Sequence, residues 1–313
     1  MKKVVITGAT SMIGFALVKQ CMENGVLVYA LVRKNSPKIA IFPISSFLKI
    51  VECDLDEMVN LPNLIADTID VFYHIGWTHT DKKGRMDAIL QNENITHTLD
   101  AVNAAKKLGC SSFIGAGSQS EFGRAENLIS PSMPVNPEFA YAISKYAAGK
   151  LSKELCTHLG MAHIWVRIFS VYGELDNPHT MISYLIHTLL DGKQPELTKC
   201  EQKWDYLHAK DSARAFFLIG KTPKDGAVYC LGSGTTRPLY EYVTTIQNLI
   251  NPNIPINFGA KKYVPNQVMN LCADITTLTS DTGFIQQISF EEGISYTLTW
   301  IKSLKYDEKG YNK

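Results

Sequence analysis

Through its first half the chain alternates short β-branched runs with longer helical stretches, and few folds accommodate that order. Residues 2–7, 26–32, 48–53, 70–74, 112–116 and 162–168 read as strands, and 12–24, 85–108 and 138–159 as helices. The last two helices have apolar positions at three- and four-residue spacing, so each presents one face to a core. Strands separated by helices have to cross over and pair in parallel, which predicts a parallel sheet wound on both faces by helices. Ligands of such open sheets sit at the carboxyl ends of the strands.

After about residue 170 the rhythm changes: Gly173, Pro178, Gly192 and Pro195 break the chain, and Pro223, Pro238, Pro252, Pro255 and Pro265 punctuate the remainder. Segment 226–231 still reads as a buried strand. The expected division is a sheet domain over 1–170, with 205–235 returning to it, and a smaller, interleaved α/β part over 171–313 that mainly binds substrate.

With 313 residues, 45% hydrophobic and 19% charged, the chain can bury a large core, which excludes a disordered or fibrous protein. Its 31 basic and 30 acidic residues leave a formal charge of +1, so no global field draws it to nucleic acid or to an anionic membrane. The start MKKVVITGA has no signal-peptide pattern, and no apolar run reaches about 18 residues, so a cytoplasmic protein is expected. Cys21, Cys53, Cys110, Cys156, Cys200, Cys230 and Cys272 contain no CxxC pair; reduced, mostly buried thiols and no metal site are expected.

The first strand ends at Gly8, and Gly8-Ala9-Thr10-Ser11-Met12-Ile13-Gly14 opens a helix, so backbone N–H groups and a helix N-terminus can face a pyrophosphate. TGATSMIG resembles the TGxxGxxG turn of the extended short-chain dehydrogenase/reductase superfamily, the nucleotide-sugar epimerases, dehydratases and reductases. The resemblance implies a Rossmann-type doubly wound sheet, with Gly8, Thr10, Ser11, Met12, Ile13 and Gly14 at a dinucleotide and Ser11 in place of the usual middle glycine. The second strand, VLVYALV, carries no acidic residue for a ribose 2′-hydroxyl and runs into Arg33, Lys34 and, a little later, Lys38. A carboxylate would repel a 2′-phosphate and a guanidinium can hold it, so NADP is expected over NAD.

Further resemblances to the superfamily run in chain order. Cys53-Asp54-Leu55-Asp56 is similar to the segment after the third strand, implying that Asp54 and Leu55 meet the adenine. Asp70 to Gly76 is similar to the strand that passes the cofactor, which puts Ile75 and Gly76 beside it and Trp77 near substrate; His74 is expected to be a packed strand residue. Asn94 matches an asparagine that shapes the active site.

Tyr141-Ala142-Ile143-Ser144-Lys145 places a phenol and an ammonium one turn apart on a helix face. Tyrosine ionises near pH 10, so proton transfer near neutrality needs adjacent positive charge, which Lys145 would supply. Gly117-Ser118-Gln119-Ser120-Glu121-Phe122-Gly123 resembles the superfamily's Ser/Thr-x-x-x-Tyr-Gly stretch and makes Ser118 the catalytic hydroxyl, with Gln119 and Ser120 beside substrate; Ser120 is the rival hydroxyl. Arg167 to Gly173 resembles R-x-x-N-x-Y/T-G, with Ser170 for a substrate-contacting asparagine. Lys203 to Asp211 resembles RDYIHVxD, with Trp204 where an arginine often meets the nucleotide diphosphate. A second such arginine is missing at about Val264.

The superfamily's 4,6-dehydratases follow the catalytic threonine with an Asp-Glu pair, but Ser118 is followed by Gln119 and Ser120, so dehydration is disfavoured. A 2′-phosphate pocket goes with a reductant consumed at each turnover. The expected activity is therefore NADPH-dependent reduction of a nucleotide-linked 4-keto-6-deoxy sugar; an NAD-dependent nucleotide-sugar 4-epimerase and a non-enzymatic NADP-sensing or scaffold protein are the alternatives. The resemblance also implies a homodimer through the helices expected over 85–108 and 138–159.

Overall fold

The computed structural model describes residues 1–125, 128–265 and 267–310, the side chains of 304–310 excepted. In chain order the strands are β1 (Lys3–Thr7), β2 (Leu27–Val32), β3 (Leu48–Glu52), β4 (Val71–His74), β5 (Ser112–Ser118), β6 (Ala162–Ile168), β7 (Ser170–Tyr172), β8 (Lys203–Trp204), β9 (Tyr206–His208), β10 (Val228–Leu231) and β11 (Arg237–Pro238). The helices are α1 (Met12–Glu23), α2 (Leu61–Leu64), α3 (Ala88–Lys107), α4 (Ala140–His158), α5 (Met181–Leu190), α6 (Ala209–Lys221), α7 (Leu239–Ile250), α8 (Thr276–Thr282) and α9 (Phe290–Gly310).

Seven strands form one wholly parallel sheet in the order β10-β6-β5-β4-β1-β2-β3. The chain reverses its direction of travel across the sheet between β1 and β4, and there the crossover connections leave a crevice at the carboxyl ends. Period-two alternation sorts the side chains: Val4, Ile6, Val28, Ala30 and Tyr73 pack under α1 and α6, whereas Val5, Tyr29, Leu31 and Phe72 pack under the α3 side. The doubly wound fold arises from strands that are apolar on both faces.

Boundaries differ from the sequence expectation where hydrogen bonds decide them. β5 continues past 116 to Ser118, which stays in register opposite Ile168 of β6. The helix expected from 85 begins at Ala88, because the Asp87 side chain accepts from the N–H groups of Ile89 and Leu90; Gly84–Met86 is a separate 3₁₀ turn. All seven cysteines are free thiols.

The later part of the chain is shared between two cores. β10 pairs with β6 as the edge of the large sheet, and α6 packs on α1. By contrast α5, α7 and α9 enclose a cluster of their own, in which Tyr172, Tyr206, Tyr242 and Phe290 meet ring to ring, as close as 4.5 Å between centroids for Tyr242 and Phe290. Two short ladders, β7 with β9 and β8 with β11, join this cluster to the mouth of the crevice.

One packing feature sets the distance between α4 and the sheet. The Trp165 indole of β6 lies in a slot of three glycines: a Cβ on Gly115, Gly117 or Gly149 would fall 2.3, 2.3 or 2.6 Å from indole atoms. Gly149 is on α4, so its missing side chain is what lets the helix close on β5 and β6. Alanine at 149 would gain helix propensity of about 1 kcal/mol but force the indole against two other walls. Gly149→Ala is therefore expected to lower stability by about 1–3 kcal/mol in urea titration; unchanged or increased stability would show that the slot has room.

Candidate active site

A crevice of about 1,120 Å³ runs along the carboxyl ends of β1, β2, β4, β5 and β6. At its first end the turn after β1 is fixed by close backbone approach. Gly8 has φ +65°, and a Cβ there would lie 2.8 Å from the Gly76 backbone; one on Gly14 would lie 2.2 Å from the Gly8 carbonyl oxygen. Ser11, at φ −82°, is in a conformation open to any residue, and its Oγ accepts from the Gly14 N–H at 3.1 Å as the N-cap of α1. That is the physical reason a serine can stand where the superfamily has glycine. Gly8, Thr10, Ser11, Met12 and Ile13 line the crevice, whereas Gly14 lies behind them as a spacer.

Beyond β2, Arg33 and Lys38 line the crevice and make no ion pair among the described residues. Lys34 does not join them: its Nζ is 2.5 Å from Glu57 Oε1 and it is not part of the lining. The expected basic trio is thus a pair. Asp54 and Leu55 do line the crevice, and the Asp54 N–H donates to Glu57 at 3.4 Å where the next 3₁₀ turn begins.

The middle of the crevice hangs on a buried relay. Thr7 Oγ1 accepts from the Gly76 N–H at 2.9 Å and pairs with His74 Nδ1 at 3.1 Å; His74 Nε2 pairs with Thr98 Oγ1 at 3.3 Å, and Thr98 donates to the Asn94 carbonyl at 2.8 Å. Because the Thr98 proton is spent on Asn94, His74 donates through Nε2, and in its neutral form it accepts from the Thr7 hydroxyl through Nδ1. Burial and the nearby Lys145 charge push its pKa down to about 3. His74 therefore ties β1, β4 and α3 together and is no acid or base. Asn94 does not reach the crevice: buried on α3, its Oδ1 accepts from the N–H of Thr78 at 2.8 Å and its hydroxyl at 3.0 Å. Its direct contact is with the Trp77–Thr80 loop, whose residues, with Ile75 and Gly76, form the wall.

At the far end β5 and α4 bring Ser118, Tyr141 and Lys145 to one place. Ser118 caps the 3₁₀ turn Gln119–Phe122, its Oγ accepting from the Ser120 N–H at 3.1 Å, and its hydroxyl is near enough to Tyr141 to lower the pKa of that phenol. Its own N–H donates at 2.9 Å to Glu121, which also accepts from the Trp165 indole at 3.0 Å and from Arg167 at 2.8 Å. Lys145 Nζ donates to the Ala116 carbonyl at 2.6 Å and stands 3.7 Å over the Trp77 ring, whose edge meets Tyr141. Gln119 and Ser120 are also in the wall. Burial raises the Tyr141 pKa, opposed by the Arg85 charge and the Ser118 hydrogen bond, and burial depresses that of Lys145 to about 7.

Two expected substrate contacts lie elsewhere. Trp204 Nε1 donates to Ser170 Oγ at 2.7 Å, and neither residue lines the crevice; the polar groups satisfy each other while the indole packs into the C-terminal clusters. Conversely Arg85, His79, Glu93 and His97 line it unanticipated. Arg85 sits in the basic stretch Lys82-Lys83-Gly84-Arg85, which looks like solvent-facing charge in a sequence.

This arrangement can hold an extended dianionic ligand at one end and move a proton at the other. The chain belongs to the NAD dependent epimerase/dehydratase family, whose sequence profile matches residues 4–232, and it is an enzyme. It is 25% identical over 303 residues to CDP-abequose synthase of Salmonella muenchen, covering 95% of this chain and 97% of that one. It is 23% identical over 339 residues to dTDP-glucose 4,6-dehydratase of Neisseria meningitidis serogroup B, covering 96% and 93%. In fold it is similar to UDP-glucuronic acid 4-epimerase from Bacillus cereus in complex with UDP-glucuronic acid and NAD: TM-score 0.83 at 21% identity, over 96% of this chain and 99% of that one.

Lys145 yields a prediction whose sign depends on pH. Its folded pKa of about 7 lies below the unfolded value of about 10.4, so burial of the ammonium is a full cost below pH 7 and fades as pH rises toward 10. Lys145→Met should raise the Tm of the protein without added nucleotide by several degrees at pH 6 and by less at each higher pH. An equal gain at all pH values in calorimetry would show that the ammonium is not the strained group.

Proposed function

We propose that the protein is an NADPH-dependent reductase of a nucleotide-linked 4-keto-6-deoxy sugar. The observation that carries the cofactor choice is that Arg33 and Lys38, with no ion pair among the described residues, stand in the crevice wall beyond a β2 that ends without a carboxylate. A guanidinium and an ammonium so placed suit a 2′-phosphate. The close Gly8–Gly76 and Gly14–Gly8 approaches leave the cradle that a pyrophosphate needs at the start of α1. The bound nicotinamide supplies the hydride.

The chain's own residues then do the rest. Ser118 hydrogen-bonds the ketone oxygen, Tyr141 delivers a proton to that oxygen as negative charge develops, and Lys145 holds ribose hydroxyls and biases Tyr141 toward the phenolate. Gln119 and Ser120 offer no carboxyl acid and base after Ser118, which argues against water elimination. The relatives' names, CDP-abequose synthase and dTDP-glucose 4,6-dehydratase, support a nucleotide-linked sugar as substrate class.

A screen of purified protein with NADPH and nucleotide 4-keto sugars of different bases, following nicotinamide absorbance, tests the reading. Interconversion without net nicotinamide oxidation would replace it by an NAD-dependent 4-epimerase, and no conversion at all by a sensor or scaffold. Arg33→Ala is expected to weaken NADPH more than NADH by about 1.5–3 kcal/mol in calorimetric titration; equal losses would remove the NADP assignment. Tyr141→Phe should leave stability and NADPH affinity close to native while turnover falls about 10²–10⁴-fold, and near-native turnover would rule out Tyr141 as donor. α3 and α4 pack side by side with Ile89, Ile143 and Leu151 exposed, so light scattering at micromolar concentration should report a homodimer.

A further inference from the structure

Arg85 is the crevice cation whose place the expected chemistry leaves unexplained. Its guanidinium carbon lies 4.3 Å from the centre of the Tyr141 ring and 5.6 Å from that of Phe139, and the side chain makes no ion pair among the described residues. The loop that carries it is built and held. The Arg85 N–H donates to the Asp81 carbonyl at 3.0 Å, the Lys83 and Gly84 N–H groups donate to Asp81 Oδ1, and the buried Gln91 amide donates to the carbonyls of His79 and Gly84. Gln91 in turn accepts from the Trp77 indole at 2.9 Å, so Arg85 and the Trp77 wall are positioned by one residue.

We infer that Arg85 is a positioning residue for the proton-transfer step: its fixed charge over the Tyr141 ring stabilises the phenolate and sets the acidity of that tyrosine alongside Lys145. The groups that face Tyr141 make the case. From β5 and its turn come the Ser118 hydroxyl and the Glu121 carboxylate, the latter neutralised by Arg167; from its own helix comes Lys145; from the loop before α3 comes Arg85. Lys145 Nζ is 5.9 Å from the ring centre, against 4.3 Å for the guanidinium. Burial also pushes the Lys145 pKa down, so its ammonium loses its proton more readily, whereas a guanidinium keeps its charge throughout. A cation on the face of a phenol attracts the ring, and attracts the phenolate more.

The test reads Tyr141 ionisation directly, with no substrate. Protein labelled with ¹³C at the tyrosine ring carbon bearing the hydroxyl is titrated by NMR, and the Tyr141 signal is the one that Tyr141→Phe removes. Arg85→Gln should move the Tyr141 midpoint upward by about one pH unit or more, the size expected of a unit charge at this distance. Arg85→Lys should restore most of that shift, and Lys145→Met should move the midpoint by clearly less than Arg85→Gln does. Should Arg85→Gln fail to fold, Arg85→His keeps a stacked planar ring that is uncharged in this pH range, and the same upward shift is expected. A midpoint unmoved in the neutral variants, or moved as far by Lys145→Met, would overturn the assignment.

Discussion

The carboxylate of Glu121 is wholly buried, and the arrangement of the reactive end depends on how it is satisfied. An ionised carboxylate in an apolar interior costs several kcal/mol unless it is paired and hydrogen-bonded. Here it takes three donors from two neighbouring strands: Ser118 N–H of β5, and the Trp165 indole and Arg167 guanidinium of β6. The indole thereby lies flat in the glycine slot under α4, and the Ser118 backbone is held at the point where the strand becomes a turn. Tyr141 and Lys145 come to Ser118 because α4 can approach; α4 can approach because the indole has been turned aside.

The crevice uses two different kinds of polar residue. Thr7, His74 and Thr98 hydrogen-bond one another, the Gly76 N–H and the Asn94 carbonyl, and they fix the spacing of β1, β4 and α3. Arg33, Lys38 and Arg85 make no ion pair among the described residues and line the crevice, Arg85 stacked over the Tyr141 ring. A satisfied buried network adds rigidity, while an unsatisfied charge at a wall waits for a ligand or acts on a neighbour. Placing the fixed charges at opposite ends suits a long ligand with phosphate at one end and the reacting carbon at the other.

Departures from the superfamily pattern also sort by physical cause. Ser11 is harmless because its backbone is extended and its hydroxyl caps α1. Trp204 and Ser170 are a matched change: the indole N–H takes the hydroxyl at 2.7 Å, and both leave the crevice wall. With no arginine at 204, the end of the crevice beside Ser118 has Arg85 and Lys145 as its lining cations among the described residues.

Apolar alternation and the glycines of the first turn were enough to determine the parallel sheet and its order of strands and helices, and the spacing along one helix was enough to put Tyr141 beside Lys145, because those depend on period, on steric necessity and on the helical turn. Tyr141, Lys145, Arg33 and Lys38 could be named from such local rules, Ser118, Asp54 and Leu55 from the resemblance to the superfamily, and all seven line the crevice. Whether a polar side chain faces the crevice or a neighbour was decided by the tertiary structure alone. Lys34 turns to Glu57 across 23 residues of sequence, Asn94 to Thr78 across 16, and Trp204 to Ser170 across 34. Arg85 reads as one more surface charge until Asp81 and Gln91 fold its loop onto Tyr141. Hydrogen bonds between distant residues are strong, short-ranged and directional, and linear spacing carries no record of them.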